Sequence, residues 1–140
     1  MRKTLLLGII STFCFLSACG GWQPVAHTPN MLDSSEDLPK QLQRMIEEQR
    51  GGAPLNLQVT EEKISGDVVV ANQYQATASN FVVYFDRIES IELFQKKESF
   101  SVLVKDKNGK LLLRLLTKDP VEAKHMVDVI ATLTQRAKAQ

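Results

Sequence analysis

Apolar positions along this chain change their period from one segment to the next, and each change predicts an element. An uncharged run, Leu5-Leu6-Leu7-Gly8-Ile9-Ile10-Ser11-Thr12-Phe13-Cys14-Phe15-Leu16, follows the basic pair Arg2 and Lys3. It falls short of the ~20 apolar residues that cross a hydrocarbon core and ends in small residues, the pattern of a cleaved secretory signal peptide rather than a membrane span. Residues 20–33, with Gly20, Gly21, Pro24, Pro29 and few large apolar groups, predict a flexible tether. Over residues 34–50 the spacing becomes helical: Leu38, Leu42, Met45 and Ile46 share a face, with Lys40, Gln43, Arg44 and Glu47 opposite. Ser34 or Ser35 is the expected cap, Glu36 and Asp37 fall in the first turn, and Gly51-Gly52 stops the helix. A helix of this length is marginal alone, so its stripe is expected to dock on the following domain or on a partner.

Period two takes over from residue 53. Leu55-Asn56-Leu57-Gln58-Val59 alternates, and residues 63–70 form a second strand carrying Ile64, Val68, Val69 and Val70. Residues 72–79 are polar and read as a loop or a wet edge strand. Phe81-Val82-Val83-Tyr84-Phe85 is strand-forming, and residues 88–94 give another strand. The alternating Phe100, Val102 and Val104, the turn Asp106-Lys107-Asn108-Gly109 and the apolar return over 111–116 make a hairpin. Asp119-Pro120-Val121-Glu122 then opens a final helix with a cap, a proline at its first position and a Glu three residues past the cap. Ala123, Met126, Val127, Ile130, Leu133 and Ala137 lie on its apolar face, with Lys124, Asp128 and Gln135 turned away.

The residues that end the first apolar run, Leu16-Ser17-Ala18-Cys19, resemble the lipobox of bacterial lipoproteins at every position. Cys14 does not fit, because Phe13 puts a ring where that pattern needs a small residue. The resemblance implies diacylglycerol on the Cys19 sulfur, cleavage before Cys19 and acylation of the new amino terminus. Two or three acyl chains anchor stably where one does so only reversibly. Gly20, in place of an Asp, implies by the same analogy an outer-membrane destination facing the periplasm. Residues 1–18 are then discarded, 19–33 are the tether, 34–50 the amphipathic helix and 53–140 the folded domain.

Cysteine count and charge sharpen this picture. The chain has two cysteines, one discarded and one consumed by lipid, which leaves no thiol for a disulfide, a zinc site or nucleophilic catalysis. Loss of Arg2 and Lys3 from the 17 basic residues leaves 15 against 16 acidic ones, a net charge of −1. Such a balance gives no support for nucleic acid or generic anionic surfaces as partners.

The order of elements from Ile88-Glu89-Ser90-Ile91-Glu92-Leu93 through the hairpin to the helix at Asp119 resembles the pleckstrin-homology-like superfold. It implies an α+β domain: a small, strongly bent antiparallel sheet or barrel closed by one C-terminal helix, which here follows a short amphipathic helix. A small α+β domain of another topology is the alternative.

Candidate chemistry is sparse. In the folded region His125 stands with Asp128 one turn on, a spacing that predicts a surface pair, and one imidazole without convergent ligands makes neither a metal site nor a triad. Glu61-Glu62 and Glu89 with Glu92 are read as solvated acids. Lys96-Lys97 and Lys105, Lys107 and Lys110 lie about 25 Å apart at opposite ends of a strand and form no single pocket. Neither an enzyme nor a cofactor is expected. The expectation is an envelope protein anchored in the membrane through Cys19, whose binding domain meets another envelope protein by strand addition along residues 73–79 or the Leu55 strand. The second expectation is a lipid or glycolipid ligand, since Cys19-Gly20-Gly21-Trp22 is similar, with one extra glycine, to the Cys-Gly-Trp start of lipopolysaccharide-assembly lipoproteins. Trp22 itself is expected either among headgroups or folded back on the domain.

Overall fold

A computed structural model describes residues 20–33, 35–49, 52–71 and 73–140. The signal-peptide pattern and the lipobox, Cys19 included, lie outside the described residues.

Among the described residues the chain runs β1 (Gln23–Pro24), α1 (Leu38–Glu48), β2 (Leu55–Val59), β3 (Lys63–Ala71), β4 (Ala76–Tyr84), a 3-10 turn (Phe85–Arg87), β5 (Ser90–Lys96), β6 (Ser99–Lys105), β7 (Leu111–Thr117) and α2 (Pro120–Lys138). The class is α+β and every strand pair is antiparallel. One sheet has the order β2-β3-β4 and the other the order β1-β5-β6-β7. The expected single bent sheet or barrel is corrected here, because among the described residues no strand pairing joins the two sheets and no barrel closes. Two local features account for this. The 3-10 turn ends β4, and its Phe85 and the following Ile88 are sunk into the core instead of extending the ladder. On β7, the Leu116 N–H donates to the Gln49 side chain at 3.3 Å, where a neighbouring strand would otherwise accept it.

Helix α2 packs on the β5-β6-β7 strands and on the 3-10 turn, and α1 packs on β2. Asp119 caps α2 by accepting from the Val121 N–H at 2.8 Å, and Pro120 takes the first helical position, where a missing N–H costs nothing. Glu122 does not reach back to the cap: it accepts the Thr117 hydroxyl, whose oxygen takes the Asp119 N–H at 3.2 Å. Ala123, Met126, Val127, Val129, Ile130 and Leu133 are buried against the 3-10 turn, β5, β6, β7 and α1. Helix α1 starts later than the pattern predicts. Pro39 must sit in the first turn, so Asp37 becomes the cap, accepting from the Lys40 N–H at 3.2 Å. Its stripe of Leu38, Leu42, Met45 and Ile46 is buried against α2 and β2, so α1 docks on its own domain.

Residues 20–33 are not a free tether. From Gln23 onward they form a strap: Gln23 and Pro24 pair with Gln95 and Phe94, and the Val25 N–H donates to the Leu93 carbonyl at 2.8 Å. Val25 and Leu32 pack on the core. His27 Nε2 lies 2.8 Å from Asp128 Oδ1, which also accepts the Asn30 N–H at 3.0 Å. The Leu32 N–H donates to Thr132 Oγ1 at 3.0 Å, and Arg136 donates to the Asp33 carbonyl at 3.2 Å. Asp128, expected to face solvent, is therefore 8% exposed. The expected His125–Asp128 pair is replaced as well, since His125 Nε2 meets Gln41 Oε1 of α1 at 2.9 Å. Trp22 folds back, its ring centre 5.4 Å from the Arg114 guanidinium.

Removing the Asp128 carboxylate strands the His27 ring and the Asn30 N–H. Asp128→Ala is expected to lower stability by about 1–3 kcal/mol, and the exposed Lys124→Ala to stay within about 0.5 kcal/mol, both read by chemical denaturation. Limited proteolysis is expected to cut residues 23–33 in Asp128→Ala and to spare them in the parent chain.

Candidate functional site

Because the sheets do not close on each other, a cleft of about 590 Å³ opens between β3 and β7. Pro54, Leu55, Val68, Val69, Phe81, Leu112 and Leu113 line it, with Asp67, Gln49 and Arg114 as its polar groups. Its size and its mixture of apolar and polar groups suit an amphipathic ligand. Gly66 shapes the floor. It faces Phe81 across the β3–β4 ladder, and a Cβ built on it would meet the Phe81 ring at 3.0 Å, the Leu55 carbonyl at 3.2 Å and the Pro54 side chain at 3.2 Å. An aromatic ring laid over a cross-strand glycine covers backbone that has no side chain of its own. Arg114 is held between its Nε–H bond to Ser101 Oγ at 3.2 Å and the Trp22 ring. Asp67 accepts from the Asn56 amide at 2.8 Å.

The outer strand β4 is the second feature. Residues 72–79, expected as a loop or wet edge, and the Phe81 strand are largely one element, paired with β3 over nine consecutive positions without a bulge. Its sequence, Ala-Thr-Ala-Ser-Asn-Phe-Val-Val-Tyr, has no charge and no proline. Natural edge strands are blunted by such charges, prolines and bulges. Val82 and Tyr84 are exposed on it, and Lys63 lies 5.9 Å over the Tyr84 ring. The other expected edge, β2, is also an outer strand, but it carries an irregularity between Leu55 and Gln58, and the Val59 N–H donates to Gln43 of α1 at 3.2 Å. Of the two, β4 presents the more regular edge.

The remaining residues of interest do not converge. Lys96 and Lys105 stand at opposite ends of the β5–β6 hairpin. Glu92 pairs with Lys105 at 2.9 Å and Glu89 with Lys138 at 3.7 Å. Among the described residues, no three of His, Cys, Asp and Glu gather as metal ligands, and no helix is long and apolar enough to cross a membrane. The sequence reading missed the cleft, although Gly66 inside a β-branched run signals a close approach of other groups to its backbone. It also missed the His27–Asp128 contact, which has no local signal because 101 residues separate the partners.

Gly66→Val is expected to push Phe81 out of the cleft floor and to cost about 1–3 kcal/mol in chemical denaturation. Gly21→Ala, with nothing within 4 Å of the added Cβ, is expected to change stability by less than about 0.5 kcal/mol. No protein-family model, no curated protein and no solved structure matches this chain.

Proposed function

We propose that the mature chain is an envelope lipoprotein, acylated at Cys19, whose pleckstrin-homology-like domain binds an extended segment of another envelope protein by strand addition to β4. The observation that carries the binding role is the β4 edge: nine paired residues without charge, proline or bulge, next to exposed Val82 and Tyr84. Main-chain hydrogen bonds along such an edge supply affinity, and pockets for alternate side chains supply specificity. The superfold reading is supported by the order of a three-stranded unit, the β5–β6–β7 meander and a closing helix. The anchor is supported by the lipobox Leu16-Ser17-Ala18-Cys19 behind a basic pair and an uncharged run.

A second reading, binding of a lipid or glycolipid, is favoured by the mixed apolar and polar lining of the cleft between β3 and β7. Native mass spectrometry separates the two, since a co-purified amphiphile supports the second reading and a clean apo mass the first.

Labelling of cells with radioactive palmitate is expected to mark the wild-type product and not Cys19→Ala. Affinity capture from detergent-solubilised envelopes is expected to return a stoichiometric protein with the wild type. Val82→Lys, which places a charge on the β4 edge, is expected to lose it. Equal palmitate in Cys19→Ala removes the anchor, and capture unaffected by Val82→Lys removes the β4 site.

A further inference from the structure

The strap sets how far the domain can stand from a bilayer. Pairing of Gln23 with Gln95 and of Pro24 with Phe94 is antiparallel, so the chain upstream of Gln23 runs toward the β5–β6 turn. Gly20, Gly21, Gln23, Gln95 and Lys97 surround one shallow hollow there. Trp22 is already held over Arg114, so Gly20 and Gly21 are the residues between Cys19 and the docked chain. Three Cα–Cα steps of 3.8 Å limit that reach to about 11 Å. A fifteen-residue tether would have let the domain face any direction; this one does not.

We infer that the β5–β6 turn is the membrane-facing end of the domain, with Lys96 and Lys97 against anionic phospholipid headgroups. This rests on the acylation of Cys19 proposed above. Both lysines are exposed at the turn, and Glu98 beside them is the acid they outnumber. Arg114, opposite Leu103, stands back from that end and holds the Trp22 ring. Lys118 and Asp119, beyond the Thr117 that pairs with Phe100, offset each other at the same end. A basic residue near an anionic surface contributes about 1 kcal/mol, and the reach of the linker is comparable to the ~8 Å screening length at physiological salt. The opposite turn, with Lys107 and Lys110, sits at the far end of β6, about 20 Å away, and is too distant to share the contact.

Trp22 is the only tryptophan, so a Trp22→Phe chain accepts a single fluorescent reporter. Gln95→Trp at the near end and Asn108→Trp at the far turn leave every charge in place. The full-length chain is purified from membranes and its acyl mass at Cys19 measured. It is then reconstituted into phosphatidylethanolamine–phosphatidylglycerol vesicles carrying lipid brominated near the headgroup. The expected result is several-fold stronger quenching at position 95 than at 108. Lys96→Gln with Lys97→Gln is expected to narrow that gap, by up to roughly thirtyfold in the ratio of docked to released domain. Equal quenching at the two positions in an acylated chain overturns the orientation while leaving the anchor intact. A gap that the double variant leaves unchanged overturns the headgroup contact. Absence of acyl mass overturns the anchor, and the orientation with it.

Discussion

The β1-β5-β6-β7 sheet has an apolar face that must be covered, and helix α2 is its cover. The 3-10 turn after β4 and helix α1 pack against the same helix. Its nineteen residues reach about 28 Å, long enough to touch the 3-10 turn after β4 and all of β5, β6 and β7. Met126, Ile130 and Leu133 have no exposed surface, and a fully buried side chain of this size is worth about 1.5–3 kcal/mol. Helix α1 adds Leu38, Leu42, Met45 and Ile46 to the same cluster. Helix α2 thus packs against one sheet, the 3-10 turn and a second helix, and keeps Lys124 and Gln135 in water.

The strap lies on the part of α2 that carries Asp128 and Thr132. A carboxylate or hydroxyl buried in this way needs partners. Thr132 finds one within the helix, donating to the Asp128 carbonyl at 2.7 Å. The Asp128 carboxylate takes its partners from His27 and Asn30, and the Thr132 oxygen also accepts the Leu32 N–H. Two polar side chains thus bind down a proline-containing segment that has little reason of its own to be ordered. The result is mechanical: the domain begins to be fixed three residues after Cys19.

Separation of the sheets has the opposite effect, since it leaves surface unsatisfied. With β7 capped by Gln49 at Leu116 and no pairing between β4 and β5, a cleft remains between the sheets and β4 keeps an open edge. Closing the barrel would have removed both features. The cleft and the open strand edge therefore lie where the two sheets fail to meet.

Features with short reach are legible in the amino-acid sequence alone. The Asp119-Pro120 start of α2, the turn at Asp106 to which the Asn108 and Lys110 N–H groups donate at 2.8 and 3.0 Å, and the apolar stripe of α1 each involve residues a few positions apart. The alternating strands follow from the same local chemistry. The partners of Asp128 and His125, the laying down of residues 23–33 and the failure of the barrel to close are not legible there. His27 and Asp128 are 101 positions apart, and Gln49 and Leu116 are 67. At such separations a periodicity tells which face is apolar but not what will cover it, and a polar residue on that face looks solvated until another part of the chain arrives. Packing chose those partners, because residues far apart in the chain meet only once α2, α1 and the strap are laid together, and polar groups buried there must be met by whatever lies within reach.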